Sequence, residues 1–451
     1  MAGGAAVAVG RALPGRQDAI DDLHAIRALF FVFACLTVLA VYVLAASLFA
    51  SPPAGLVSAV VLASFQGFAV DAPGGPDAKT PGILFAVTAM AFLVKRRYFW
   101  GALAGALAFL VWQPLLIYAA LAVLVAALTS PRGERGRGSA VALLGAAIPI
   151  VATGAYFLDA GAFGALVDAA LVFPTTDLKR TPESWTERFF RIGDVVEDDY
   201  GRTGRFFWIG LALLALLILV RIVRRRRELV ELVGEDPLLH VVLASFIPIA
   251  AYSIYDFQGY PDLYPGLPYA ALGFGGAVAL LRLVGSDSLR RATLAAALAA
   301  AAALVGYAAH VFSVADAPRS RTLELQLEVD RRVGKLVRPG ETMDVLGNSR
   351  PLVLLQRRNF NPYIYLSSGI DGWAADHLGG ISGWIDRIRA THPAVIVVGG
   401  PWHDGYSLGI ERGLERHYVR VRVGARVLIF VPERLLAKAE DLRFRMPPPA
   451  G

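Results

Sequence analysis

Three polar stretches stand between the long apolar runs of this chain, and each carries residues able to do chemistry. The first is Asp71-Ala72-Pro73-Gly74-Gly75-Pro76-Asp77-Ala78-Lys79-Thr80-Pro81. It sets two carboxylates, an ammonium and a hydroxyl in a tight Gly/Pro loop. A carboxylate there, Asp77 or Asp71, can take the proton from an attacking hydroxyl, and Lys79 can pair with a phosphate. The second stretch, Tyr255–Pro265, holds Asp256, Gln258, Asp262 and Tyr264. Tyrosines at this level form belts in many membrane proteins, which accounts for the rings but not for the acids and amide beside them. Aromatic faces with a carboxylate and amide rim suit sugars, whose rings present C–H faces and hydroxyl edges. The third, Pro174–Arg205, holds Lys179, Arg180, Arg188 and Arg191 ahead of an acidic run of Asp194, Glu197, Asp198 and Asp199. The planar guanidinium fork of Arg180 or Arg188 fits a phosphate. The first and third stretches also have a plainer reading, as connectors whose charges simply face water.

Other chemistries find no support. His240 and His310 lie in or beside apolar runs, and His377, His392, His403 and His417 are scattered, with no H-x-x-H or C-x-x-C spacing. Zinc is therefore not expected. No phosphate-cradling G-x-x-x-x-G-K-S/T and no strand-borne G-x-G-x-x-G occurs, which argues against nucleotide-driven chemistry. The single cysteine, Cys35, excludes an internal disulfide framework. No cofactor is identified, and no metal ligand set is assigned.

The elements that must position these groups are membrane helices. Of 451 residues, 56% are hydrophobic and only 18% charged, against about 25% charged in a soluble domain. The apolar excess falls in blocks near the length that crosses about 30 Å of hydrocarbon. Spans are expected at Ala28–Ala50, Ala54–Val70, Thr80–Val94, Trp100–Trp112, Pro114–Thr129, Ala140–Phe157, Phe206–Val223, Leu238–Tyr255, Gly266–Val284 and Thr293–Ala315, about ten in all. Basic knots at Lys95–Arg97, Arg132/Arg135/Arg137, Arg221–Arg227 and Arg282/Arg290/Arg291 occupy every second gap. Short Lys/Arg-rich loops stay cytoplasmic, so the alternate gaps, with outer loops at 71–81, 158–205 and 256–265, face the other side. The same rule requires Trp100–Thr129 to go out and back as two short helices meeting at Gln113-Pro114. Much of the net charge of +7 lies in these turns, where it orients the protein and meets anionic headgroups. Nucleic-acid binding is not expected on that distribution.

This places an N-terminal segment, 1–27, outside the cytoplasm without a signal peptide, which leads us to expect a further span ahead of it. A polytopic domain follows at 28–315, within which Leu158–Val172 is expected to lie along the interface. Beyond Asp316 the composition turns soluble. Ser320–Val337 is an amphipathic helical pattern, and β-branched runs at Thr342–Leu346, Ala394–Val398, Tyr418–Val423 and Arg426–Val431 alternate with helical stretches at Ser382–Ala390 and Tyr406–His417. A small extracytoplasmic α/β domain over 316–435 is expected, with a tail at 436–451.

The chain resembles the GT-C superfamily of membrane glycosyltransferases, near prokaryotic proteins related to dolichyl-phosphate-mannose mannosyltransferases. The residues that carry the likeness are Asp21-Asp22-Leu23-His24-Ala25-Ile26-Arg27 entering a span, Gly75–Pro81, Phe99-Trp100-Gly101, Val111–Pro114, Asp256–Pro265 and Pro393–Gly399. The resemblance implies a plasma-membrane enzyme that takes a sugar, mannose by analogy, from a polyprenyl phosphate and passes it, with inversion, to a glycan, lipid or protein acceptor outside. It implies a base at Asp77 or Asp71, donor-phosphate binding by Lys79, Arg180 and Arg188, and a sugar cavity lined by Asp256, Gln258, Asp262 and Tyr264. A divalent cation is not required, because a lipid phosphate is already an activated leaving group. The usual catalytic acid of that superfamily stands in an earlier outer loop, and Asp21-Asp22 align poorly with it. Two rival expectations are a transporter or flippase of lipid-linked glycans, which needs ionisable groups deep in the helices, and a non-catalytic relative that binds glycans.

Overall fold

The computed structural model describes residues 19–75, 77–172, 184–224, 235–257, 259–284, 286–314, 323–338, 340–347, 350–355, 357, 370–398, 405–423 and 427–442. The chain divides into two compact units, one built mainly from His24–Leu166 and Pro182–Ala315, the other around Asp316–Gly451.

In the first unit the described part of each expected span is mainly helical, but the one over Ala54–Val70 is broken at Phe65 into two helices. The helices are α1 (Ala19–Leu48), α2 (Pro52–Ser64), α3 (Gln66–Asp71), α4 (Lys79–Val94), α5 (Tyr98–Val111), α6 (Leu116–Thr129), α7 (Arg135–Asp159), α8 (Phe163–Val167), α9 (Trp185–Tyr200), α10 (Gly204–Arg224), α11 (Ala244–Tyr255), α12 (Leu267–Val284) and α13 (Asp287–Val314). Among the described residues five stretches are long and apolar enough to cross a membrane: Ile20–Leu48, Arg135–Asp159, Trp185–Arg224, Leu238–Tyr255 and Tyr260–Leu281. The first begins ahead of the expected span, so the described part of the N-terminal segment is already helix. Where interfacial helix was expected over Leu158–Val172, α7 runs to Asp159 and a turn through Gly161 intervenes. Helix then resumes at Phe163 and passes into π-helix over Asp168–Val172.

The out-and-back pair is present. Trp112 takes extended backbone angles, Pro114 sits in the following 3-10 turn, and α5 and α6 fold against each other. At the open end the Tyr98 and Thr129 hydroxyls lie 2.9 Å apart. Midway, a Cβ added to Gly105 would come within 2.5 Å of the Ala119 backbone nitrogen. Only a glycine admits so close a crossing.

The lengths matter more than the count. With 16 residues in α4 and 14 each in α5 and α6, these helices run about 24 and 21 Å at 1.5 Å per residue. Their basic ends, at Lys95–Arg97 and Arg132–Arg137, are expected on one side of the membrane. Their other ends would then stop several ångströms short of a hydrocarbon layer about 30 Å thick, leaving a recess where Lys79 and Trp112 stand.

The C-terminal unit carries a four-stranded sheet in the order β1-β2-β4-β3: β1 (Met343–Leu346), β2 (Val395–Val398), β3 (Val419–Val423) and β4 (Val427–Val431). The first pair is parallel and the others antiparallel. Strands β1 and β2 are buried at every position, as near-continuous apolar runs require when both faces are covered. One face packs on α14 (Leu323–Gly334), through Val329 and Val333. The other packs on α15 (Gly380–Ala390) and α16 (Gly405–Leu414), through Trp384, Ile388, Ile410 and Leu414. The fold continues past residue 435, since helix Leu436–Glu440 sends Ala439 into the first of these cores.

Candidate functional site

The expected outer ends of α3, α4, α5, α9 and α11, together with the Tyr260–Gly266 turn, gather the polar stretches into one recess of the first unit. Lys79 begins α4, and its ammonium lies 2.6 Å from Oδ1 of Asp262. The same nitrogen stands 5.3 Å above the centre of the Trp112 ring, at the hairpin tip, close enough for cation–π attraction. Asp262 is 5% exposed, and its second oxygen accepts the Gly259 amide at 3.2 Å. A 3-10 turn over Tyr260–Gly266 carries it, with Pro261 and Pro265 fixing the turn.

Asp77 closes the start of α4. Its Oδ1 accepts the Lys79 amide at 2.8 Å, and its carbonyl accepts the Thr80 amide at 3.2 Å. A carboxylate placed there is favoured by the open amides and dipole of the helix N-terminus. Asp71, at the end of α3, keeps an exposed edge. Burial, and then the neighbouring Asp199 carboxylate, raise its carboxyl above the ordinary range. Asp71, Asp77 and Asp199 all lie within electrostatic reach of the Tyr260 hydroxyl. A raised carboxyl takes up a proton more readily, which suits Asp71 to act as a base.

A second line of contacts runs through the aromatics. The Tyr252 hydroxyl donates to Asp256 at 2.8 Å, and its ring meets Trp112 edge-on at 5.7 Å. Arg188 on α9 donates to the Tyr255 carbonyl and Arg191 to the Phe257 carbonyl. Each guanidinium also faces the ring of the residue it holds, at 5.9 and 5.4 Å. Helix α9 therefore grips the end of α11, whose last carbonyls lack helical partners. A capping box starts α9, with the Ser184 amide donating to Glu187 at 2.7 Å and the Glu187 amide returning to the Ser184 hydroxyl at 3.2 Å. Tyr264 is buried and donates to the Gly67 carbonyl at 3.1 Å, while Tyr200 donates to the Tyr260 carbonyl at 2.8 Å. These two bonds hold the 260–266 turn against α3 and α9.

Beside the recess lies an apolar groove of about 210 Å³ between α9, α10 and α11, walled by Phe189, Phe207, Trp208, Phe246 and Ile254 among others. Among the described residues Asp262 is the one charged residue in its lining.

Structurally, the whole chain superposes on two crystal structures of ArnT from Cupriavidus metallidurans. The apo form gives a TM-score of 0.60 at 11% identity, covering 98% of this chain and 88% of that one. The form bound to undecaprenyl phosphate gives 0.61 at the same identity and coverage. This chain has the ArnT fold. The polytopic helical fold with a small C-terminal sheet that the sequence led us to expect is thus shared with those structures. Neither a family profile nor any curated protein matches the sequence, so the likeness is one of fold alone.

Against the ArnT-like fold, the expected site residues sort clearly. Asp71, Asp77, Lys79, Asp256, Asp262 and Tyr264 converge on the recess. Arg188 borders it through Tyr255. Arg180 and Gln258 lie outside the described residues. Asp262 and Tyr264, grouped with the sugar on sequence grounds, contact Lys79 and the α3 backbone respectively. Trp112 and Tyr252 join the site without having been assigned a role in it, and Arg191 and Asp199, named in the third polar stretch, join it as well. Trp112 had a signal, since an aromatic at the tip of a helical hairpin must end beside whatever enters the recess. Among the described residues no group of three or more His, Cys, Asp or Glu is placed to hold a metal ion.

Proposed function

We propose that this protein is a membrane glycosyltransferase that takes a sugar from a polyprenyl phosphate and passes it to an acceptor hydroxyl outside the cytoplasm. The observation that carries this reading is that the Lys79–Asp262 pair stands beside an apolar groove which Asp262 also lines. A prenyl chain suits a groove whose walls are apolar, and its phosphate would then arrive at the ammonium. The crystal structure of ArnT bound to undecaprenyl phosphate shares this fold.

In this reading Asp71 accepts the proton of the acceptor hydroxyl, with Asp77 as the alternative base. The hydroxyl oxygen bonds to the anomeric carbon as the bond from that carbon to the phosphate oxygen breaks, and the carrier phosphate departs with both electrons. Its charge grows in the transition state, where Lys79 stabilises it. Arg180 is a second candidate for that phosphate on sequence grounds, and Arg188 reaches it or fixes Tyr255 beside it. Asp256, oriented by Tyr252, and Gln258 line the sugar. Mannose is the first sugar to try, following the sequence resemblance, and the C-terminal α/β domain would stand on the outer side of the plasma membrane.

The test is transfer of labelled sugar from synthetic polyprenyl phosphate donors, mannosyl first, by membranes holding the chain. Activity should fall by two or more orders of magnitude in Asp71→Asn and in Lys79→Gln, as expected for loss of a general base or a charge-stabilising group. Full turnover in both variants would remove this site from the chemistry.

A further inference from the structure

We infer that Asp262 is not a sugar ligand but the positioning residue for Lys79, fixing the ammonium that receives the carrier phosphate. This rests on the glycosyl-transfer reading above. Three observations carry it. The carboxylate is almost fully buried, yet sits 2.6 Å from the Lys79 nitrogen. Its other oxygen is tied to the Gly259 amide at 3.2 Å, and the Tyr260–Gly266 turn that carries it is pinned from both sides by Tyr264 and Tyr200. Finally, Asp262 is the one charged residue among the described residues that line the apolar groove, so the ion pair lies next to a surface suited to a prenyl tail.

A lysine ammonium on a four-carbon stem is a mobile donor with three N–H bonds. Giving one to a clamped carboxylate, with the ring of Trp112 beneath at 5.3 Å, leaves up to two with a set direction. The rotamer freedom that phosphate binding would otherwise remove is already lost in the free protein. A carboxylate this close also repels a phosphate. What it gains is geometry and a neutral pair that can sit beside the apolar groove until the charged ligand arrives.

The experiment is equilibrium binding of radiolabelled farnesyl phosphate to the full chain in detergent, without any transfer step. The wild type, D262N, D262E, K79Q and the K79Q/D262N pair are compared, with donor KM and kcat measured alongside. Asp262 acting through Lys79 predicts that D262N weakens binding about tenfold and that D262E restores part of it. It also predicts that D262N has no further effect once Lys79 is already Gln, the non-additivity of a coupled pair. The rise in KM should exceed the fall in kcat. Binding that is indifferent to D262N, or equally weakened by it in the K79Q background, would overturn the positioning role and leave the donor reading standing. A wild-type chain that does not bind farnesyl phosphate would overturn the donor reading itself. Should D262N not accumulate as folded protein, D262E decides alone. It keeps the charge and shifts it by one methylene, so an intermediate affinity is expected and an unchanged one refutes.

Discussion

Replacing Lys79 by Met should cost more stability than replacing Asp262 by Asn, because the two ends of the ion pair are buried unequally. The carboxylate side chain is 6% exposed and the lysine 20%. Breaking a buried pair by deleting one partner costs about 3–5 kcal/mol, mostly from the charge left behind. In Lys79→Met the Asp262 carboxylate loses its ammonium and keeps its other contacts, including the Gly259 amide. Water reaching the vacated lysine position puts the loss at the lower end, about 3 kcal/mol. In Asp262→Asn the stranded charge is an ammonium already touching solvent, and the amide oxygen still accepts from Gly259, so about 1 kcal/mol is expected. The double variant leaves no charge and should lose less than Lys79→Met alone, though it holds fewer favourable contacts. The assay is the thermal midpoint of the detergent-solubilised chain, followed by loss of the monodisperse peak. At ~2 °C per kcal/mol for a large chain, Lys79→Met should fall by about 6 °C, with the double variant recovering most of that. A double variant no more stable than Lys79→Met would refute the premise that a buried carboxylate deprived of its ammonium carries the cost.

Three further outcomes follow from the same geometry. Asp71→Asn should lower transfer yet raise stability near neutral pH. Its carboxyl is raised above the ordinary value of 3.8 by burial and by Asp199, so the native state holds this proton more tightly and loses stability as pH climbs through that range. The gap between variant and wild type should close below about pH 4, where both are neutral, and a gap independent of pH refutes the assignment. Gly105→Val should abolish folded protein, since its Cβ would meet the Ala119 nitrogen at 2.5 Å, while Gly75→Ala, with nothing within 4 Å, should be silent. In a Cys35→Ser background, a thiol at position 77 should react with an impermeant reagent from outside intact cells and one at position 96 only after permeabilisation. The reverse pattern would invert the topology.

The helices and their order were legible because hydropathy and Lys/Arg bias act along the chain, residue by residue. The hairpin at Gln113-Pro114 was recoverable from charge alone, since both flanking knots require the same side. The interior breaks were less so. The strand-like backbone of Phe65 between α2 and α3, and the π-helical turns at Leu238–Leu243, follow from packing against neighbours that no local pattern announces. The sheet was foreseen strand by strand, but its order was not, because register between distant runs leaves little trace in either one. Within the site the residue types were visible and the partnerships were not. Asp262 and Lys79 are separated by most of the membrane unit, and neither carries a local sign that it will meet the other. Arg188 shows the same limit. An arginine near the interface suits a phosphate, but here its guanidinium also holds the Tyr255 carbonyl, a contact only the fold can create.

The short helices explain why such a pair is worth its cost. Had α4 run the full hydrocarbon thickness of about 30 Å, Lys79 would emerge among headgroups, where water screens it and any soluble anion competes. Stopping after 16 residues lowers the ammonium into the recess, beside the groove. An unpaired cation below the headgroups is expensive, by a fraction of the ~2.5–3.5 kcal/mol that insertion scales give at the bilayer centre. Asp262 offsets the charge, and Trp112 covers it. The arrangement selects for a ligand that brings its own apolar tail and its own negative charge together. A soluble sugar nucleotide has the charge without the tail, and a neutral lipid has the tail without the charge. Soluble phosphates should therefore compete poorly with farnesyl phosphate for this chain, and geranyl or shorter prenyl phosphates should bind progressively less well as groove contacts are lost, at about 0.8 kcal/mol per buried methylene at most. Equal affinity across chain lengths would mean that the groove takes no part in binding.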